Sequence, residues 1–193
     1  MKSRKIYLLT LALTGALFLL SQGTAKYDNK ASDKKILVVY YSATNNTKNT
    51  ATIIAKETGG TLFQVEPVTP YSSSDLNWNN PSSRVSQEHD NQALRNIELK
   101  TTSVENWDSY DVVFIGYPIW WGIAAWPIDN FVKDNDFTGK KVIPFCTAYS
   151  SGIGNSDTLL KSMTNTGNWI SGKRFGTRVS QSEIKSWLNS LNI

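Results

Sequence analysis

The chain has 193 residues, 40% of them hydrophobic and 19% charged, a balance that suits one domain with a filled core and excludes a disordered chain. Three of its 20 basic residues and none of its 16 acidic ones lie in residues 1–25, so the remainder carries 17 against 16 and gives no footing for nucleic acid. One cysteine, Cys146, and one histidine, His89, exclude an internal disulfide and leave no raw material for a metal cluster or a Cys/His or Ser/His/Asp catalytic group.

Met1 to Lys5 is basic, Ile6 to Leu20 is a 15-residue apolar run, and Gly23-Thr24-Ala25 offers small residues at a cleavage point. This is the layout of a secretory signal peptide over residues 1–25. The run is shorter than the roughly 20 residues of a comfortable membrane span, so membrane attachment is expected only through an uncleaved signal segment. No cysteine follows it to carry a lipid. Residues 26–34 read as a polar tether and residues 35–193 as the folded domain. Asn45-Asn46-Thr47 would be a glycosylation site in a eukaryotic secretory pathway, which places the expected origin in bacteria and the location outside the cytoplasm.

From there strands and helices alternate, the pattern of crossover units in a parallel sheet. Strand one is expected over 35–41 and helix one over 47–58, stopped by Gly59-Gly60. Strand two covers 62–66. The 44 residues before Asp111 are too many for a plain loop, so a crossover helix is placed at 81–95 with Asn80 as its cap. Strand three follows at 112–117, helix three at 126–133, strand four at 142–146, helix four at 156–162, strand five at 168–175, and a closing helix at 182–191. Cys146 falls inside a strand and reads as a small core residue; His89 reads as a surface residue on a helix.

Three strands end in unusual loops. After strand one, Ser42-Ala43-Thr44-Asn45-Asn46-Thr47 opens a helix, where about four N–H groups lack partners and a partial positive charge favours an anion. Such a turn serves equally as an ordinary N-cap. After strand three comes Pro118-Ile119-Trp120-Trp121-Gly122, and after strand four Thr147-Ala148-Tyr149-Ser150-Ser151-Gly152-Ile153-Gly154.

On these loops the chain resembles the flavodoxin-like family from about Lys35 to Leu191, in particular short members with a Pro-x-Trp-Trp-Gly loop. The family's phosphate loop, Ser/Thr-x-Thr-Gly-Asn-Thr, falls on Ser42, Thr44, Asn45, Asn46 and Thr47, with Asn45 in place of glycine. Asn is among the few residues that visit the left-handed region. The resemblance implies an α/β fold: a doubly wound, five-stranded parallel sheet of order 2-1-3-4-5 with helices on both faces and a ligand site beyond the carboxyl ends of the strands. It further implies FMN as cofactor. The first loop would hold the phosphate. Pro118, Ile119, Trp120, Trp121 and Gly122 would present an indole to the ring; adjacent residues on an extended loop point opposite ways, so one of Trp120 and Trp121 would stack while the other packs inward, with Trp121 favoured because it sits nearer Gly122. Thr147, Ala148, Tyr149, Ser151, Gly152 and Gly154 would approach the ring edge. The expected activity is an FMN-dependent oxidoreductase that passes electrons from a small donor such as a nicotinamide to a small acceptor such as a quinone, with an electron carrier between redox proteins as the alternative. A flavin-free binding module on the same fold is the remaining alternative.

Overall fold

The computed structural model describes residues 34–193, so the signal peptide and all but Lys34 of the tether lie outside the described residues. Within them the uninterrupted apolar run of β1 (Ile36–Tyr40) is buried along its whole length, because helices cover both faces of the sheet. It pairs in parallel with β2 (Thr61–Gln64) on one side and β3 (Val112–Trp120) on the other. β5 (Lys141–Thr147) continues the sheet beyond β3, and the fifth position is shared by β6 (Asn168–Trp169) and β7 (Lys173–Phe175). The order is therefore 2-1-3-5 followed by this divided strand, which is the expected arrangement once the short antiparallel β4 (Ile123–Ala124) is counted.

The division has a local cause. Val142 accepts from the Ile170 N–H at 3.1 Å. Pro144, two residues on and facing the same way, has no N–H to offer. The ladder breaks there, and Gly172 passes so close that a Cβ would lie 3.0 Å from Pro144.

Alternate residues along the strands feed two cores. Ile36, Val38, Phe114 and Phe145 pack against α1 (Asn46–Thr58) and α5 (Gln181–Asn189) through Ile54, Ile184 and Trp187. Leu37, Val39, Ile115 and Tyr117 pack with Ile128, Phe131 of α3 (Asp129–Asp134) and Leu160 of α4 (Ser156–Thr164). Gly116 is required where the Phe145 ring crosses it, since a Cβ would sit 2.2 Å from that ring. Cys146 is fully buried, and burial pushes its thiol up to about 12, so it is an inert core residue as expected.

Other boundaries move. The crossover helix is shorter than the expected 81–95: α2 spans Arg84–Asp90, capped by Ser83 rather than Asn80, and a 3₁₀ turn follows at Gln92–Arg95. A 3₁₀ turn at Trp126–Ile128 also precedes α3. Among the described residues no helix is long and apolar enough to cross a membrane.

Candidate functional site

β1 delivers the chain into the loop 42–45, and Asn45 stands at the N-cap of α1 with φ 64° and ψ −5°. The left-handed turn expected of this residue is present. Its side chain makes no capping hydrogen bond, and the first turn of α1 carries no acidic residue. The donors of the helix start thus remain available to an anion. Ser42 adds a hydroxyl that is buried with no hydrogen-bond partner, an arrangement that costs free energy unless a ligand accepts or donates there. Asn46 donates to Thr44 Oγ1 at 3.2 Å. Thr47, buried, shares a 2.7 Å hydrogen bond with Thr147, which ties the first loop to the third.

The second loop differs from its expected form. β3 runs on through Pro118, Ile119 and Trp120, and Trp121-Gly122 is a two-residue hairpin turn into β4, with Trp120 opposite Ile123. Both turn residues have positive φ, 45° and 80°, as a type I′ turn demands. Glycine suits that; a tryptophan there is a strained position of the kind that collects at functional sites. Trp121 is stacked at 4.4 Å on His89 and lies 5.9 Å from Trp126 at a near-parallel 26°. Trp120 packs inward, edge to face with Tyr41, Tyr71 and Trp126. Trp120 thus packs inward while Trp121 is 42% exposed, and the two still meet on Trp126 because they sit at a hairpin turn and not on the expected extended loop. His89 is on α2 as expected, half-exposed, and covers an indole.

The third loop is held from below. Arg174 on β7 donates Nη2 to the carbonyls of Ala148 at 3.0 Å and Tyr149 at 2.8 Å. Tyr117 shares a 3.0 Å hydrogen bond with Ser156, which donates to the Ile153 carbonyl at 2.7 Å. Gly154, at φ 57°, packs against the Gly122 carbonyl, 3.3 Å from where a Cβ would lie, so loops two and three touch.

Between the loops opens a cleft of about 680 Å³, lined by Ala43, Thr44, Leu76, Trp78, Val85, Pro118, Ile119, Trp120, Trp121, Ala148, Tyr149, Ser150 and Ser151. Eight of the expected residues meet here: Thr44, Pro118, Ile119, Trp120, Trp121, Ala148, Tyr149 and Ser151. Ser42, Asn45, Asn46 and Thr47 lie on the α1 side, and Ser42 also borders a small pocket of about 130 Å³ with Tyr71 and Lys100. Gly122, Thr147, Gly152 and Gly154 shape the loops without lining the cleft.

A sequence profile of the flavodoxin family matches residues 35–191. The chain belongs to the flavodoxin family. As a flavodoxin it is 41% identical to a protein of Bacteroides eggerthii assigned as a flavoprotein, over 83% of this chain and 99% of that one, with a TM-score of 0.75. A second Bacteroides flavoprotein, from Bacteroides uniformis, is 34% identical over 81% and 98%, with a TM-score of 0.73. A Lactobacillus acidophilus flavoprotein solved in complex with FMN shares the fold at 23% identity, over 80% and 99%, with a TM-score of 0.57. No curated protein matches the chain.

Leu76, Trp78 and Val85 were not among the expected site residues. They belong to an excursion, 68–98, that leaves the sheet after β2 and is pinched at its base by a Pro67–Leu99 bridge, with Val68 N–H donating to the Glu98 carbonyl at 2.9 Å. Glu88 is its buried anchor. It takes Arg84 Nε at 2.7 Å, the Tyr71 hydroxyl at 2.6 Å and Trp126 Nε1 at 2.7 Å. Burial, then the bond to Glu88, raises the Tyr71 phenol far above its ordinary range. The one legible trace was the Arg84–Glu88 spacing of four on a helical pattern; Arg174 left none.

Proposed function

We propose that this flavodoxin binds FMN where the loops 42–47, 118–122 and 147–154 meet, on that side of the 680 Å³ cleft, and acts as an exported redox protein that exchanges electrons with small acceptors such as quinones. The observation that carries the reading is the loop 42–47, where the uncapped start of α1, left-handed Asn45 and the unpartnered Ser42 hydroxyl meet. Ser42, Thr44, Asn46 and the first amides of α1 fit a phosphate dianion; charge-assisted hydrogen bonds contribute about 1.5–3 kcal/mol each and a helix start up to about 2. Trp121, Tyr149 and the 147–154 loop supply the aromatic and backbone groups for the ring.

When bound, FMN supplies the redox chemistry. The chain binds it, orients it and excludes water: Arg174 and the Thr47–Thr147 bond hold the loops in register, and Pro118, Ile119 and Trp120 give an apolar wall. Export is supported by the basic, apolar and small-residue layout of residues 1–25. A protein crossing the membrane unfolded would take up its flavin outside the cytoplasm. Family membership favours a second reading, electron carriage between protein partners, although 17 basic against 16 acidic residues beyond position 25 leave little charge to steer docking.

Titration of protein spanning residues 26–193 with FMN and with riboflavin tests the reading. FMN is expected to bind with a change in its visible spectrum and riboflavin to bind far more weakly. No spectral change with FMN would overturn the proposal; equal binding of the two would remove the phosphate cradle from it.

A further inference from the structure

Trp78 is the part of the cleft that cofactor binding leaves without a task. Its side chain is 68% exposed, a large apolar surface for a folded protein to leave in water. Its backbone is nonetheless fixed: the Trp78 N–H donates to the Leu76 carbonyl at 2.9 Å, its carbonyl accepts from Ser86 Oγ at 3.4 Å, and Val85 N–H reaches the Asp75 carbonyl at 3.0 Å. Beneath it, Glu88 spends a buried carboxylate on pinning the same excursion. An aromatic face on a rigid support loses little freedom when a ligand arrives.

The chemistry of the cleft narrows what that ligand is. None of its lining residues is charged. A nicotinamide dinucleotide brings a diphosphate, and a peptide of either sign brings its own charges; each needs an opposite charge or a helix start to receive it. Two helix starts border the cleft: that of α1 is taken by the cofactor phosphate in the reading above, and that of α2, at Val85, is closed by its cap, Ser83, whose side chain accepts from the Ser86 N–H. What remains is the aromatic face of Trp78, beside the apolar Leu76 and Val85, which suits a flat, uncharged ring system.

We infer that Trp78 is the stacking face for an uncharged planar acceptor of the quinone class, and that nicotinamide dinucleotides do not dock in this cleft. The inference rests on the FMN reading, because the acceptor shares the cleft with the flavin. Trp78 is a specificity residue for the acceptor and leaves cofactor affinity alone.

Calorimetric titration of menadione, a neutral naphthoquinone, into FMN-loaded protein provides the test. Trp78→Ala is expected to raise the menadione Kd about 10-fold and Trp78→Phe about 2-fold, a loss in the range of one aromatic contact. The FMN Kd, measured separately from the visible spectrum, is expected to stay within about 2-fold in both variants, and NADH is expected to give no heat of binding. Unchanged menadione binding in Trp78→Ala overturns the inference, as does tight NADH binding at the cleft. A parallel loss of FMN affinity overturns it too, since Trp78 would then be a wall for the cofactor. Failure of the wild type to take up FMN at all sinks the cofactor reading and is seen before menadione is added.

Discussion

At one end of the cleft, residues 42–47 make the proposed anion cradle from contiguous backbone, short polar side chains and the start of a helix; at the other, the wall of Leu76, Trp78 and Val85 is carried across by an excursion anchored through Glu88 to Trp126. The cradle depends on dihedral angles and unpaired donors, which a hexapeptide can encode. The wall depends on a buried carboxylate finding three donors from three parts of the chain, Tyr71, Arg84 and Trp126, which only the assembled fold supplies. Damage to the two ends is therefore expected to differ in kind: loss of stability at the wall, loss of anion binding at the cradle.

The largest effect is expected at the wall. Glu88→Ala leaves Arg84 Nε and the Trp126 and Tyr71 donors without an acceptor, while Arg84 Nη1 keeps the Thr69 carbonyl, and should lower unfolding free energy in urea by about 3 kcal/mol. A loss below about 1 kcal/mol would show that the excursion holds without it.

At the cradle, Asn45→Ala puts into the left-handed region a residue without the short polar side chain that makes asparagine tolerant of it, at up to about 1–2 kcal/mol. Asn45→Gly should restore the ease of that turn and bind FMN at least as tightly as wild type. If Asn45→Ala and Asn45→Gly bind FMN alike, the left-handed geometry does not matter to the phosphate.

Trp121 joins both regions, being on the hairpin turn yet stacked on His89 of the excursion. Trp121→Asn gives the Asn-Gly pair that a type I′ turn prefers while removing the stack, and stability in urea should change by less than about 1 kcal/mol despite the loss of a large aromatic residue. A larger loss would mean that ring stacking, not turn strain, dominates there.

The smallest effect concerns pH. Burial pushes the Asp129 carboxyl up to about 7, opposed by Lys133 and Arg95. Because the folded state then holds a proton that the unfolded state has released, this group stabilises below about pH 4 and that contribution is lost as pH rises towards 7. Asp129→Asn should flatten this part of the dependence of melting temperature on pH between 4 and 7; an unchanged slope would show that Asp129 ionises normally.

Most of the scaffold is legible in the chain. The apolar run at Ile36–Tyr40 reads as a doubly covered strand because parallel strands bury both faces, and Gly59 marks the end of α1 where φ reaches 67°. The divided fifth strand was less so, since the break is imposed by Pro144 on its neighbour and not by residues 168–175 themselves. That Trp120 packs inward while Trp121 is exposed was legible, but the turn that carries them was not, because a hairpin cannot be told from an extended loop without knowing that Ile123 pairs back with Trp120.

Local composition and pattern alone thus dictated a parallel α/β sheet, a helix start directly after the first strand and a buried, unreactive Cys146, since backbone preference and side-chain burial act over a few residues. The placing of Trp78 at the cleft, the Arg174 support of Ala148 and Tyr149, and the Tyr71 and Trp126 donors gathered on Glu88 came only with the packed molecule. Each joins residues far apart in the chain, and the cost of burying a charged or polar group, which decides where it settles, depends on every neighbour that surrounds it.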